Sequence, residues 1–247
     1  MNKNVRKDYI FLSIMLRKKS SSILKQIPLV FFYVSMCLFF FSSCTPTRFV
    51  KPLERKQNAI AANLGGPLIH FGKAVTPIPF TSVMYGRGIT KSTTAFGSLH
   101  LTSLLFGNFQ TDLGVCQQLY KNDSLKFGIT INPAINMVYD KWNKNFRAWP
   151  QLDFNIYKDI LKQKAFIYVG LTNWFELSST KAHNEKQTNH VLINPHIGMT
   201  YHTKKWAYTL EGKFLQMNKN NKPNVADYVG IQQHGAVGIY LNFTRRF

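Results

Sequence analysis

From residue 59 onward the chain alternates apolar and polar residues one by one. The clearest run is 125–139, where Phe127, Ile129, Ile131, Pro133, Ile135, Met137 and Tyr139 alternate with Gly128, Thr130, Asn132 and Asn136. Successive side chains of a strand point to opposite faces, so such a run has one greasy face and one polar face. The same rhythm sets Val191, Ile193, Ile197, Met199 and Tyr201 against Asn194, His196, Thr200 and His202. It also sets Trp206, Tyr208, Leu210 and Phe214 against Thr209, Glu211 and Lys213. The pattern predicts strands at 59–70, 79–88, 94–105, 109–120, 125–139, 147–157, 164–176, 190–202, 205–217 and 235–247. No amphipathic helix longer than two turns competes with them. The expected class is all-β: an antiparallel transmembrane β-barrel of about ten strands, following an N-terminal signal helix. Gly65-Gly66-Pro67, Pro77 and Pro79 interrupt the first two strands. Eight strands after an N-terminal plug or linker is therefore the alternative count.

The connections carry a second signal. Segments 88–93, 121–124, 158–163 and 203–204 are short, whereas 140–146, 177–189 and 218–234 are longer, and the last two are rich in Lys and Asn. Short and long connections alternating around a sheet suit a barrel with periplasmic turns and external loops. The connection at 106–108 breaks this phase. Tyr120, Phe127, Tyr157, Tyr201, Trp206 and Phe247 sit beside the short turns, as an interfacial girdle of aromatic rings would.

The first 43 residues follow a different rule. Lys3, Arg6, Lys7, Arg17, Lys18, Lys19 and Lys25 precede an apolar run from Ile27 to Phe41, and then come Ser42, Ser43 and Cys44. Basic end, short apolar core and small residues are the order of a secretory signal. The apolar run is about 15 residues, short of the roughly 20 that a spanning helix needs. The stretch Phe41-Ser42-Ser43-Cys44 resembles the lipobox of bacterial lipoprotein signals, with Phe41 where Leu is commoner. That resemblance implies cleavage before Cys44 and acylation of Cys44. A start at Met15 would give a tighter signal. Residues 44–58, polar and basic with Pro46 and Pro52, read as a tether, leaving 59–247 as the barrel.

The last strand places Ile239, Leu241, Phe243 and Phe247 at alternate positions and stops on an aromatic. It resembles the C-terminal insertion signal of bacterial outer-membrane barrels, with Phe243 and Phe247 as its apolar marks and Arg245 as a departure. An Arg near head groups can snorkel. Residues 63–69 (NLGGPLI) and 96–106 (FGSLHLTSLLF) are similar to those of uncharacterised barrel lipoproteins of Bacteroidota. Together these resemblances imply a lipid-anchored protein of the cell outer membrane. Its partners would be outer-membrane lipid, the barrel-insertion machinery and the lipoprotein-processing machinery.

The chain carries 31 Lys and Arg against 11 Asp and Glu, a formal charge of +20. Residues 1–43 account for +6 of it, and the remaining +14 is scattered over candidate loops and forms no basic stripe. Nucleic acid is not expected as a partner; anionic head groups suit this surface better. The three cysteines, Cys37, Cys44 and Cys116, show no metal-ligand spacing.

Candidate chemistry sits on the polar face. His100, Asp112, Asn132, Asn136, Asp153, Asn155, Asn194, His196, Glu211 and Lys213 are expected to line the lumen. Asp112, Asp153, His196, Glu211 and Lys213 form its charged part, and Asp153, Glu211 and Lys213 are expected to pair as an ion network, because buried charges need partners. No catalytic residue, metal or cofactor is assigned. Ser98 and His100 share a face, as an acyl hydrolase would require. Asp140, Asp227, His183, His190 and His234 lie near the outer rim without a paired acidic motif, and His183, Glu185 and His190 match no metal template. The expected role is structural, adhesive or diffusive. The rivals are a barrel enzyme that hydrolyses lipid or peptide, and a periplasmic lipoprotein with a soluble lipocalin-like or sandwich domain for an apolar ligand.

Overall fold

In the computed structural model, residues 46–180, 186–221 and 227–247 are described. The strands are β1 (Asn58–Phe71), β2 (Ala74–Pro77), β3 (Phe80–Gly88), β4 (Thr93–His100), β5 (Asn108–Asn122), β6 (Phe127–Asp140), β7 (Asn145–Ile160), β8 (Ala165–Phe175), β9 (Val191–His202), β10 (Trp206–Asn220) and β11 (His234–Arg246). Each of β3 to β11 pairs antiparallel with its sequence neighbour, β3 also pairs with β1, and β11 returns to pair with β1 from Ala59↔Arg246 to Pro67↔Gly238. Ten strands thus close a barrel and leave no free edge in its wall. Strand β2 is outside this count: it pairs only with the far end of β1, from Leu68↔Pro77 to Phe71↔Ala74.

The wall is polar inside and apolar outside. Along β6 the even positions Gly128, Thr130, Asn132 and Asn136 are buried, while the odd positions face outward. Asn136 is 0% exposed and Ile135 is 38% exposed. In β10, Thr209, Glu211 and Lys213 are buried, whereas Tyr208 and Leu210 are exposed. A soluble sandwich would show the reverse, with Ile135 and Leu210 inside. Outer side chains pair across strands, as in Leu210↔Leu241, Leu210↔Met199 and Leu113↔Ile135.

Three local features differ from the sequence expectation. The third predicted strand stops at His100, and a short helix, α1 (Leu101–Leu105), takes its last residues. Thr102 fixes this corner: its hydroxyl accepts from the Thr81 N–H at 2.8 Å and donates to the Pro79 carbonyl at 3.1 Å. Between β5 and β6 the register runs to Gly114↔Ala134 and resumes at Gln117↔Ile131. That gap lies opposite Pro133, which has no N–H to donate. A one-residue bulge follows between Gln118 and Tyr120.

One end of the barrel carries the short connections 89–92, 123–126, 161–164 and 203–205. The other carries the longer 176–190 and 221–233, together with β2 and α1. We call these the turn end and the loop end. Near the loop end Phe109, Tyr139 and Phe146 lie side by side on β5, β6 and β7, all exposed. Near the turn end Tyr201, Tyr208 and Phe243 do the same on β9, β10 and β11, with Tyr208 edge-on to Phe243 at 6.1 Å. Tyr120, Trp206 and Phe247 are exposed there too. Tyr157, expected with them, points inward and is buried, because it sits in the inward phase of β7 with Asp153 and Asn155. Arg245 faces outward over the Trp206 ring at 5.8 Å.

Candidate functional site in the lumen

Residues 46–53 run inside the barrel. They belong to no strand, and Thr47, Arg48, Phe49, Val50 and Leu53 are buried. A tether was expected over 44–58; along 46–53 the lumen wall offers a matching partner at nearly every residue. Both apolar clusters of the barrel interior are built on it. Phe49 and Leu53 pack with Ala59, Ala61, Met84, Phe96 and Cys116, and Val50 packs with Tyr157, Phe166 and Tyr168. Gly86 makes room for Phe49: a Cβ there would lie 2.4 Å from the ring.

Polar contacts fix the register of the segment. The Asn132 amide donates to the Phe49 carbonyl at 2.8 Å, and the Thr130 hydroxyl donates to the Val50 carbonyl at 2.8 Å. The Leu53 N–H donates to the Thr94 hydroxyl at 2.7 Å. These bonds satisfy backbone groups that no ladder reaches. Lys51 pairs with Asp159 at 2.6 Å and lies over the Tyr157 ring at 4.7 Å.

Arg48 is the centre of the charged network. Its guanidinium pairs with Asp153 at 3.2 Å and Asp112 at 3.3 Å and also donates to the Gln151 side-chain oxygen. Burial alone would lower the pKa of this guanidinium, but Asp153 and Asp112 reverse the effect and the net direction is upward. Asp112 is held from its other sides by Asn136 (2.6 Å), Ser98 (2.7 Å) and His100 (2.8 Å). Such a fork, with Asp112 oriented by three further donors and Asp153 taking one guanidinium nitrogen on both its oxygens, is the arrangement that makes a buried ion pair tolerable.

A second group lies at the middle of β10. Lys213 pairs with Glu211 at 2.9 Å and donates to the Pro46 carbonyl at 3.4 Å. Glu211 also accepts from the Thr47 hydroxyl at 3.0 Å and the Tyr168 hydroxyl at 2.7 Å. His196 is the cross-strand neighbour of Lys213 on β9 and lies against the Tyr168 ring at 6.0 Å, with one ring nitrogen 2.7 Å from the Asn155 side-chain oxygen and the other 3.4 Å from the Thr172 hydroxyl.

All ten residues expected to line the lumen are buried in it. The expected grouping of Asp153 with Glu211 and Lys213 does not form. Asp153 stands on β7 and Glu211 on β10, and Arg48 takes Asp153 together with Asp112 while Lys213 takes Glu211. Ser98 and His100 both engage the same Asp112 oxygen, so the serine hydroxyl points at a carboxylate instead of at a histidine base. At the rim, Asp140 accepts from the Trp142 N–H at 2.8 Å, Asp227 lies 3.7 Å from His70, and His190 and His234 contact carbonyls of Glu176 and Gln232. Cys44, His183 and Glu185 lie outside the described residues. Phe243 and Phe247 are exposed on and just beyond β11.

The segment does not fill the barrel. A cavity of about 720 Å³ remains beside it, bounded by Arg48, Lys51, Thr209, Asn242 and Arg246 among others. Thr203 and Lys204, which form part of its lining, belong to a turn-end connection.

No protein-family model matches the chain. No curated protein matches it either. Among solved structures, the chain is similar to the translocator domain of the autotransporter NalP from Neisseria meningitidis, with a TM-score of 0.39 and 9% identity over 80% of this chain and 91% of that one. It is similar to the outer membrane protein OprG from Pseudomonas aeruginosa, with a TM-score of 0.30 and 8% identity over 81% and 99% of the two chains. It is also similar to Ail, the attachment invasion locus protein of Yersinia pestis, with a TM-score of 0.28 and 8% identity over 78% and 99%. Likeness at this level carries no inference about what the chain does.

Proposed function

We propose that the chain is a barrel of the bacterial outer membrane that alternates between a form closed by its own residues 46–53 and a form anchored through acylated Cys44, and that its role is structural or adhesive and is exercised at the loop end. The observation that carries this reading is the inverted polarity of the wall. Ile135, Leu210, Leu241 and Ile197 meet the surroundings, while Asn132, Asn136, Asp153 and Glu211 line the interior. Water rewards the opposite arrangement; hydrocarbon rewards this one. Phe127 and Tyr139 stand twelve residues apart on β6, about 40 Å along the strand. At the usual tilt of ~40° this is roughly 30 Å of height, enough to cross the apolar layer.

Diffusion through the barrel is disfavoured while Arg48, Phe49 and Val50 occupy its interior. The described parts of the long connections, 176–180 with 186–190 and 227–233, offer the surface for an external partner.

Anchoring at Cys44 constrains the closed form. Pro46 is held by Lys213, the eighth of fifteen residues of β10. Either end of that strand is then roughly 18 Å of height away, and two residues of chain span at most about 7 Å. Acyl chains on Cys44 therefore reach the bilayer only when residues 46–53 have left the lumen. Acylation and closure become alternatives.

Metabolic labelling with a palmitate analogue tests the anchor. The wild type is expected to take the label and Cys44→Ala to lose it, while both still migrate differently on gels before and after boiling. Equal labelling of the two would remove the anchor from the account. Loss of heat-modifiable migration in both would remove the membrane barrel itself.

A further inference from the structure

The closing segment is bound in the way a ligand is bound. It makes no ladder with any strand, and it is covalently joined to the wall only through residues 54–57. Its one guanidinium enters a wall site that is complete in itself. Asp112 comes from β5, and Gln151 and Asp153 come from β7, all nearly fully buried. Ser98 and His100 hold one oxygen of Asp112, and Asn136 donates to the other, which it shares with Arg48. Gln151 turns its oxygen to Arg48, and its amide nitrogen is left without a partner among the described residues. Both terminal nitrogens of the guanidinium are thus matched, while Nε has no partner among the described residues, and acceptors spread over two strands suit a flat, multiply donating cation better than a point charge.

We infer that the lumen wall carries a guanidinium-binding site, formed by Asp112, Asp153 and Gln151, of which Arg48 is the resident ligand. When the segment withdraws, the site accepts an external guanidinium: free arginine, or an arginine side chain of a peptide. The cavity that Arg48 itself borders offers a small cation a way in from the turn end. While the segment is seated, an external ligand must compete with an intramolecular one at millimolar effective concentration or more, so the wild type resists exchange. Withdrawal of the segment rests on the anchoring argument above; the chemistry of the site does not.

Chemical rescue of Arg48→Ala in detergent micelles tests the site directly. The probes are guanidinium chloride and arginine methyl ester at millimolar concentration, with lysine methyl ester and sodium chloride as controls at equal ionic strength. Both guanidinium probes are expected to raise the melting temperature of Arg48→Ala saturably, by about 5 °C. They should leave the wild type unchanged, and the shift should vanish in Arg48→Ala/Asp153→Asn. An arginine-containing tripeptide that rescues as well as arginine methyl ester indicates a site open to peptides; rescue by both guanidinium probes but not by the tripeptide restricts the ligand to the free amino acid. An equal shift with lysine methyl ester or sodium chloride overturns the inference, because it reduces the effect to charge screening. So does no shift at all, or a shift that survives loss of Asp153. If Arg48→Ala does not fold unaided, refolding yield of Arg48→Gln with and without guanidinium is the readout, and no gain in yield counts against the site. None of these outcomes depends on acylation or on a bilayer, so failure here is separable from failure of the anchored-barrel reading.

Discussion

Replacing Leu210 with Lys is expected to lower the stability of the barrel in a lipid bilayer by about 2–4 kcal/mol. Leu210 lies near the middle of β10, 56% exposed, with Leu241 and Met199 beside it on the outer face. If that face meets hydrocarbon, a lysine there must desolvate its ammonium or distort the bilayer. If the face met water, the same change would exchange an exposed leucine for a soluble side chain, and an effect within about 0.5 kcal/mol would be normal. The two readings thus differ by more than 1 kcal/mol at a single position. Reversible denaturant unfolding from lipid vesicles measures it. Arg245 supplies an internal reference, since an outward cation already sits near the turn end, over Trp206. A lysine near Arg245 should cost far less than one at Leu210, because depth sets the penalty.

Arg48→Met should be the most damaging single change inside the lumen, at about 3–5 kcal/mol. It keeps most of the apolar stem and removes the guanidinium with its donors, leaving Asp112 and Asp153 without their shared cation and the Gln151 side-chain oxygen without its donor. Adding Asp112→Asn and Asp153→Asn to Arg48→Met should recover much of the loss, because the penalty belongs to the uncompensated carboxylates. Lys51→Met should cost less than about 1 kcal/mol: Lys51 is partly exposed and water screens its pairing with Asp159. Equal losses for Arg48→Met and Lys51→Met would mean that the segment is held by packing of Phe49, Val50 and Leu53, with little from charge. Planar-bilayer conductance is a second readout. The wild type should be nearly closed, and Arg48→Met should pass cations, drawn by the two bared carboxylates.

The wall of the barrel was legible because a strand has a period of two and the outward positions of most strands are apolar while the inward ones are largely polar. Val191, Ile197 and Met199 against Asn194 and His196 is enough to assign faces, and the observed β9 agrees. The corner at His100 was not legible, since the stretch at 99–105 alternates well enough to pass for strand, and the Thr102 contacts that end it come from the Pro79–Thr81 region.

The closing segment escaped for a different reason. Its sequence, PTRFVKPL, is short, carries two prolines and has no period, so nothing local distinguishes a plug from a tether. The signal lay in the wall. Ala59, Ala61, Met84, Phe96 and Cys116 all occupy inward positions, where a water-filled lumen gives an apolar side chain nothing to gain. The inward list also held three acidic residues, Asp112, Asp153 and Glu211, against one cation, Lys213. Both imbalances point to something apolar and basic from elsewhere in the chain, and Arg48 with Phe49 satisfies both.

Single cysteines placed along β6 at 129, 130, 131, 132, 135 and 136, in a Cys116→Ala background reconstituted into vesicles, probe the central claim at its source. Each carries a fluorophore and is exposed to brominated lipid. Strong quenching is expected at 129, 131 and 135 and little at 130, 132 and 136. Quenching at 130, 132 and 136 instead, or equal weak quenching at all six with ready labelling of 129, 131 and 135 by a water-soluble maleimide, would contradict that claim.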